Sequence, residues 1–263
     1  MDTSVHKSYA QQLKVFSRTD VGKRRQRNED SLGVIARHGI FIVADGMGGV
    51  DGGDFASKRV VDDLVERFHN LQPDSISFED RLDRICESIN ISSAGISEEA
   101  YKREISGMGT TFVALCLDLD NPTQACALHV GDSRVYQYRR KTLRPITRDH
   151  SLAAESGLEN AEAIPLFMAG VITRAVGIKD EVEVERTPIH VLPGDRFLLC
   201  SDGLYNMIPE QRLNSFFTQG HEDISAELVI AANQAGGFDN ITVIVIDIPG
   251  NSSPPESLDD TIT

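Results

Sequence analysis

Cysteine is scarce in this 263-residue sequence, which holds four cysteines and no Cys-x-x-Cys pair. Three of the four lie in apolar runs, so we expect reduced core residues, and neither a disulfide framework nor a zinc site. Long apolar runs are also missing. Apolar runs such as those at residues 112–117 and 241–246 are only six residues long, and residues 1–14 contain no stretch of signal-peptide length. We therefore expect a cytoplasmic protein without a membrane span.

Positive charge is in short supply as well, since 26 lysines and arginines face 40 acidic residues and the formal net charge is −14. Such a balance repels phosphate backbones and argues against general nucleic-acid binding, whereas divalent cations are natural partners. Hydrophobic residues make up 40% of the chain and charged residues 25%. These fractions are typical of soluble globular proteins and exclude a wholly disordered or fibrous chain.

Short segments rich in β-branched residues predict eight strands, at residues 31–36, 39–44, 110–119, 124–130, 134–139, 182–191, 196–200 and 241–248. Apolar residues at helical spacing predict one pair of helices around residues 60–68 and 82–89, and a second pair at 209–217 and 225–235. Hairpin-like strand pairs interrupted by helices favour antiparallel sheets covered by helices. The predicted fold class is α+β, in one domain.

Four aspartates stand at the ends of these apolar segments: Asp45, Asp132 and Asp202 follow one, and Asp239 precedes one. A single Asp-Gly pair is most often only a turn. Four carboxylates brought together, however, repel one another unless a cation compensates their charge. Oxygen ligands without a His or Cys cluster select Mg²⁺, Mn²⁺ or Ca²⁺ over zinc. Because glycine permits close approach of the backbone, the carbonyl of Gly46 is a further candidate ligand.

A second polar cluster lies upstream, in the segment Thr19-Asp20-x-Gly22-x-x-Arg25-x-x-Asn28-Glu29-Asp30. Its basic residues are compatible with an ordinary solvated turn. Beside a carboxylate cluster, however, an arginine fork suits bidentate contact with a phosphate group. Glu29 and Asp30 are placed to reach metal ions directly or through water.

Together these blocks resemble the metal-dependent protein phosphatases of type 2C, in their bacterial form. Further blocks match in the family order from about residue 15 to 248: Gly109-Thr110-Thr111, Gly131-Asp132-Ser133-Arg134, Asp149-His150-Ser151, Ser201-Asp202-Gly203 and Asp239-Asn240-Ile241-Thr242. The resemblance implies a four-layer α-β-β-α sandwich of two antiparallel sheets flanked by helical pairs. It also implies a domain at 15–248 with a short flap at about 150–172. We expect a flexible segment at 1–14, and the composition rich in proline and serine after Ile248 predicts a disordered tail at 249–263.

The resemblance further implies a binuclear Mn²⁺ or Mg²⁺ site and a role for each site residue. Asp45 would bridge the two ions, and the binuclear site would be completed by the Gly46 carbonyl, Asp202 and Asp239. Glu29 and Asp30 would act mainly through bound waters. Asp132 together with Asp202 would hold a third ion, and Arg25 would bind phosphate. The implied reaction is hydrolysis of phosphoserine or phosphothreonine on proteins by direct attack of a metal-bridging water. The resemblance implies that the protein opposes a bacterial Ser/Thr kinase, and we expect a monomer.

Some positions depart from the family pattern. Met47 stands where eukaryotic members carry a histidine, Val50 where some bacterial members do, and Ile164-Pro165 where the flap usually has His-Pro. The general acid is therefore unassigned, and a metal-bound water is our interpretation. His129 is expected to be buried and hydrogen-bonded, and His150 to anchor the start of the flap.

Three alternative functions can be compared with this prediction. A serine hydrolase lacks support, because the Gly-x-Ser-x-Gly elbow is absent around Ser133. A nucleotide site at residues 46–53 lacks the Gly-Lys-Ser/Thr ending. A non-catalytic member that binds a phosphoprotein or a regulator is the serious alternative. Inactive members usually lose metal aspartates, and this chain keeps them.

Overall fold

A computed structural model describes residues 12–49, 52–156, 170–221 and 223–250. Within these residues eleven strands form two antiparallel sheets. The strands are β1 (Lys14–Asp20), β2 (Asp30–Ile35), β3 (Ile40–Met47), β4 (Gly109–Thr110), β5 (Phe112–Leu117), β6 (Gln124–Val130), β7 (Arg134–Arg139), β8 (Thr142–Pro145), β9 (Glu185–His190), β10 (Arg196–Cys200) and β11 (Ile241–Asp247).

The two sheets pack face to face. One sheet has the strand order β1-β11-β10-β7-β8, and the other has the order β2-β3-β5-β6-β9 with β4 paired to β3. Alternate side chains of both sheets fill the space between them, including Phe41, Val43, Phe197, Leu199 and Ile244. The central strands β5 and β11 are buried on both faces, which explains why their sequences are almost continuously apolar.

Helices cover the outer face of each sheet. Helices α1 (Gly53–His69) and α2 (Phe78–Arg103) pack on the sheet that contains β3, and helices α5 (Glu210–Thr218) and α6 (Ser225–Gln234) pack on the sheet that contains β11. The short helices α3 (Leu152–Glu155) and α4 (Asp202–Tyr205) lie near the ends of strands. The predicted α+β sandwich of four layers, α-β-β-α, is confirmed.

Helix α2 shows how local sequence sets a boundary. The hydroxyl of Ser77 accepts a hydrogen bond from the backbone N–H of Asp80 at 3.1 Å, and acidic residues occupy the first turn. The apolar face of the helix, with Leu82, Ile85 and Ile89, is buried against the sheet.

Several predicted boundaries were wrong. The segment 110–119 is two strands, because the chain breaks at Thr111 between β4 and β5. Strands β1 and β8 were not predicted, and Lys14 belongs to β1 and not to a flexible segment. The strand predicted at 182–191 is shorter, Glu185–His190. Strand β3 continues to Met47, so Asp45 lies inside it and not at its end.

Other expectations lie partly outside the described residues: segment 1–11, Val50, residues 157–169 of the flap with Ile164-Pro165, and the tail from residue 251. All four cysteines are free, and Cys116, Cys126 and Cys200 are buried, as predicted. No helix in the described ranges is both long enough and apolar enough to cross a bilayer.

Candidate active site

The topology brings the predicted carboxylates to one edge of the sandwich. Asp30 opens β2 and is the register partner of Asp45 in β3. Asp202 lies two residues after the end of β10, and Asp239 lies two residues before the start of β11. Asp132 lies in the turn between β6 and β7. Strands β10 and β11 are hydrogen-bonded neighbours, so their carboxylates are neighbours as well. The five aspartates interact electrostatically as one cluster.

Asp45 is held by backbone contacts from two threonines. Its N–H donates to the Thr111 hydroxyl at 2.9 Å, and its carbonyl accepts from the Thr111 N–H at 2.8 Å and the Thr110 hydroxyl at 2.9 Å. The Thr111 hydroxyl also shares a hydrogen bond with Ser133 at 2.7 Å. The break between β4 and β5 therefore has a function, because it turns Thr111 toward Asp45.

Gly46 must be glycine for steric reasons. A Cβ atom at this position would lie 2.1 Å from the Gly53 carbonyl oxygen and 2.6 Å from the Glu29 carbonyl oxygen. The Gly46 N–H donates to the Glu29 carbonyl at 3.1 Å. The start of helix α1 thus packs directly on the backbone beside Asp45.

The cluster holds more negative charge than its surroundings can stabilise. Burial, and then repulsion from Asp30, Asp202, Asp132 and Asp239, raises the pKa of Asp45 well above its ordinary value. Burial is also the main cause that raises the pKa of Asp30 and of Asp202 to about 6 and that of Asp132 to about 7. A carboxylate in such a place needs either a proton or a cation.

Two buried oxygen atoms mark where a cation would fit. Asp30 Oδ1 and Asp202 Oδ1 are buried and have no hydrogen-bond partner within the described residues. The second oxygen of Asp30 accepts from the Ser201 hydroxyl at 2.7 Å, and that of Asp202 accepts from Asn206 at 3.1 Å. Orphaned carboxylate oxygens in a dense acidic cluster are the donor set of a hard divalent cation.

Arg25 lies at the exposed side of this cluster. Its Nη2 donates to Asp239 Oδ2 at 2.7 Å, and its side chain is 49% exposed. This hydrogen bond is the largest cause that raises the pKa of Arg25, which stays a cation. Burial raises the pKa of Glu29, and Arg25 opposes that effect. A half-exposed guanidinium beside the carboxylates can meet an incoming anion.

Asn240 organises the site and was not among the predicted site residues. Its Oδ1 accepts from the Glu29 N–H at 2.8 Å, while its Nδ2 donates to the carbonyls of Val21 and Arg27 at 3.0 and 2.9 Å. One amide side chain therefore ties the loop that carries Arg25 to the residue after Asp239. Its place inside the Asp-Asn-Ile-Thr block was the only sequence signal.

His129, His150 and Glu185 form a compact group whose ligand atoms all lie within 4.8 Å of one another. Hydrogen bonds account for this group without a metal. His150 Nδ1 accepts from the Gly131 N–H at 3.1 Å, so Nε2 carries the hydrogen and donates it to Glu185 at 3.1 Å. His150 therefore has no free lone pair for a cation.

The same group fixes the turn that carries Asp132. The His150 N–H donates to the Gly131 carbonyl at 2.9 Å, and the His129 ring bonds to the Arg148 carbonyl at 2.9 Å. The two predictions for these histidines, a buried hydrogen-bonded His129 and an anchoring His150, are consistent with these contacts. Glu185 was missed, since no motif surrounds it.

Comparison with known proteins adds independent information. The family model of protein phosphatase 2C matches residues 21–234. Protein phosphatase PhpP of Streptococcus pneumoniae is 37% identical over 239 residues, which cover 87% of this chain and 94% of that protein. Serine/threonine phosphatase stp of Listeria monocytogenes is 33% identical over 241 residues, covering 88% and 94%.

Solved structures show the same likeness. The serine/threonine phosphatase PstP/Ppp of Mycobacterium tuberculosis matches with a TM-score of 0.77 and 30% identity, over 90% of this chain and 99% of that chain. A second structure, of the PstP catalytic domain, contains two manganese ions and matches with a TM-score of 0.77 and 30% identity over 90% and 98% of the two chains. We conclude that this chain belongs to the protein phosphatase 2C family, the family that its sequence blocks predicted.

Proposed function

We propose that this protein phosphatase hydrolyses phosphoserine and phosphothreonine on proteins with the help of two Mn²⁺ or Mg²⁺ ions. The observation that carries the proposal is the buried carboxylate cluster with two orphaned oxygens, next to an exposed arginine. Asp45, the Gly46 carbonyl, Asp202 and Asp239 would hold the two ions. When bound, such ions supply positive charge to the transferring phosphoryl group and acidify an attacking water.

The protein's own residues have distinct tasks in this proposal. Arg25 would bind the phosphate oxygens, since its fork faces solvent while Asp239 orients it. Glu29 and Asp30 would hold bound waters, and Ser201 keeps Asp30 in place. Phosphate monoester hydrolysis without a catalyst is extremely slow, so charge stabilisation at phosphorus must supply a large part of the acceleration.

The Asp132 turn supports a third ion site shared with Asp202. The Tyr205 hydroxyl donates to the Asp132 carbonyl at 3.0 Å, and Arg134 forms two hydrogen bonds with Asp149 at 2.8 and 2.7 Å. Both contacts fix the backbone around Asp132, and its pKa is raised first by burial and then by the charge of Asp202. We propose Asp132 as a metal ligand and not as a proton donor.

Histidines take no part in the proposed proton transfer. Met47 occupies the position of the eukaryotic histidine, and His129 and His150 are both engaged in hydrogen bonds to the backbone. We therefore assign protonation of the leaving alkoxide to water in the site. The substrates we propose are phosphoproteins made by a partner Ser/Thr kinase, and we propose that the phosphatase acts as a monomer.

The test is release of phosphate from a phosphothreonine peptide by the purified protein with Mn²⁺, Mg²⁺, Ca²⁺ or EDTA. Asp239→Asn removes a proposed ligand with almost no change in size. Asp62→Asn makes the same chemical change on the exposed surface of α1 and is the matched control. We expect metal-dependent release from the wild type and the control, and none from Asp239→Asn.

Two results would contradict the proposal. Equal rates for Asp239→Asn and Asp62→Asn would remove Asp239 from the active site. Folded wild-type protein that releases no phosphate with any metal would favour the alternative, a member that binds phosphoproteins without hydrolysing them. A pull-down with the same phosphopeptide would then test that binding directly.

A further inference from the structure

An exposed patch beside Arg25 takes no part in the proposed chemistry. It consists of Lys23, Arg24 and Phe238, which we call the rim patch. Phe238 precedes Asp239 and is 54% exposed. The Arg24 guanidinium lies over the Phe238 ring, with Cζ 5.7 Å from the ring centroid. A cation–π contact of this kind holds an exposed arginine in a preferred orientation.

The backbone beneath the rim patch is firmly held. The Lys23 N–H donates to the Gly237 carbonyl at 2.8 Å. Gly22 has a φ of +76°, and a Cβ there would lie 2.2 Å from the Asp239 carbonyl oxygen. Asn240 binds the same loop at both ends through Val21 and Arg27. The loop therefore presents its side chains from a fixed platform, which lowers the entropy cost of binding a ligand.

The rim patch is positive in a strongly negative protein. Residues 23–27 contain four of the 26 basic residues of a chain whose net charge is −14. Within the described ranges, Lys23 and Arg24 form no ion pair, whereas Arg25 is paired with Asp239. Two uncompensated cations next to an acidic centre create a local field that attracts anions.

We propose that the rim patch binds an anionic side chain of the substrate, a carboxylate or a second phosphate, a few residues from the phosphorylated residue. Consecutive Cα atoms lie about 3.8 Å apart, so Lys23 and Arg24 can reach only near neighbours of a phosphate bound by Arg25. The substrate class is therefore an acidic or doubly phosphorylated segment. This inference rests on the proposed function, since it assumes that Arg25 marks the phosphate position.

The experiment compares kcat/KM for peptides with one phosphothreonine and different surroundings. One peptide has neutral neighbours, one has glutamates on both sides, one has lysines on both sides, and one has a second phosphothreonine two residues away. p-Nitrophenyl phosphate, which has no neighbours, gives the basal activity. At about 0.02 M salt we expect the glutamate peptide to exceed the neutral one about three- to tenfold, as exposed ion pairs allow. This preference should shrink at about 0.5 M salt.

Two variants with reversed charge distinguish binding at the rim patch from a general effect of net charge on activity. Lys23→Glu/Arg24→Glu should abolish or invert the preference for glutamate, mainly through KM. Arg140→Glu/Lys141→Glu changes the net charge equally in an exposed hairpin turn at the far end of β7, and it should keep the preference and the basal rate. Phe238→Leu should weaken the preference, because Arg24 loses its aromatic support.

A wild type that prefers neither the glutamate peptide nor the peptide with two phosphothreonines at low salt would overturn the inference, and so would a Lys23→Glu/Arg24→Glu variant that retains the preference. The peptide with two phosphothreonines distinguishes the two sources of charge: a preference for it alone would assign the patch to phosphate. If no substrate is hydrolysed at all, the proposed function fails. Binding of the same peptides, measured by fluorescence polarisation, then tests the rim patch separately from hydrolysis. Equal affinities for the glutamate and neutral peptides would refute binding of anionic side chains by the patch.

Discussion

Raising the pH of the metal-free protein from 5 to 8 should lower its melting temperature, and Mn²⁺ should remove most of that decrease. The cause is the carboxylate cluster, in which the pKa of Asp30 and of Asp202 is raised from 3.8 to about 6. At pH 5 the unfolded chain has released these protons, while the folded chain still keeps them. A raised carboxyl pKa therefore stabilises the fold at low pH, and this stability is lost as the pH rises through about 6.

The expected size follows from the same values. One pKa unit corresponds to about 1.4 kcal/mol, so between pH 5 and full ionisation each of the two groups contributes a loss on the order of 1 kcal/mol. Asp132, whose pKa is raised to about 7, adds to this loss, so the three groups together give at least about 3 kcal/mol, which corresponds to a decrease in melting temperature of at least roughly 6–12 °C for a domain of this size. Mn²⁺ binds the ionised cluster of the folded state and adds about 2.7 kcal/mol at a concentration of 100 Kd.

The assay is thermal denaturation at several pH values, with EDTA and with saturating Mn²⁺. Asp202→Asn removes one of the raised carboxyls and should reduce the decrease with pH, whereas Asp62→Asn, on the exposed surface, should not. A metal-free melting temperature that is constant or rises from pH 5 to 8 would refute the reasoning. So would a Mn²⁺-induced increase that is no larger at pH 8 than at pH 5.

Three substitutions test single contacts. Ser201→Ala removes one hydroxyl donor from Asp30 and leaves the Thr242 N–H without its side-chain acceptor; urea denaturation should show a loss of about 1–3 kcal/mol. Gly46→Ala places a methyl group against the Gly53 carbonyl and should weaken Mn²⁺ binding by at least tenfold in calorimetry, roughly 1.4 kcal/mol. Arg25→Ala removes a charged donor and should raise KM for a phosphopeptide roughly tenfold or more while kcat changes less. An unchanged value in any of these measurements would contradict the corresponding contact.

Sequence patterns predicted the layers of the fold because the central strands and the covering helices are strongly apolar. The same patterns did not predict the two edge strands β1 and β8. Strand β8 contains Arg144 and Pro145, and a proline is tolerated there only because this strand lies at the edge of its sheet. Strand β1 has no fully buried residue, and within the described ranges it pairs only with β11, more than two hundred positions later. Such pairing leaves no local signal.

The charged residues of the candidate site could be predicted from the sequence, whereas the neutral residues that position them could not. Carboxylates at the ends of apolar segments stand out in a sequence, so Asp45, Asp202 and Asp239 were proposed from it. The residues that position the acidic side chains of the site are an asparagine, a serine and threonines, and such residues are common in any protein sequence. Asn240 bonds to Glu29 across 211 positions, and Ser201 bonds to Asp30 across 171. Only the folded chain shows these contacts.

The pairing of β1 with β11 has a consequence for synthesis of the protein. The loop with Arg25 and Glu29 is translated more than two hundred residues before Asn240, which holds it, and Asp239, which orients Arg25. Long-range contacts of this kind form late in folding. A nascent chain that has not yet reached Asp239, or a chain cut before it, therefore lacks both contacts that hold and orient the loop with Arg25.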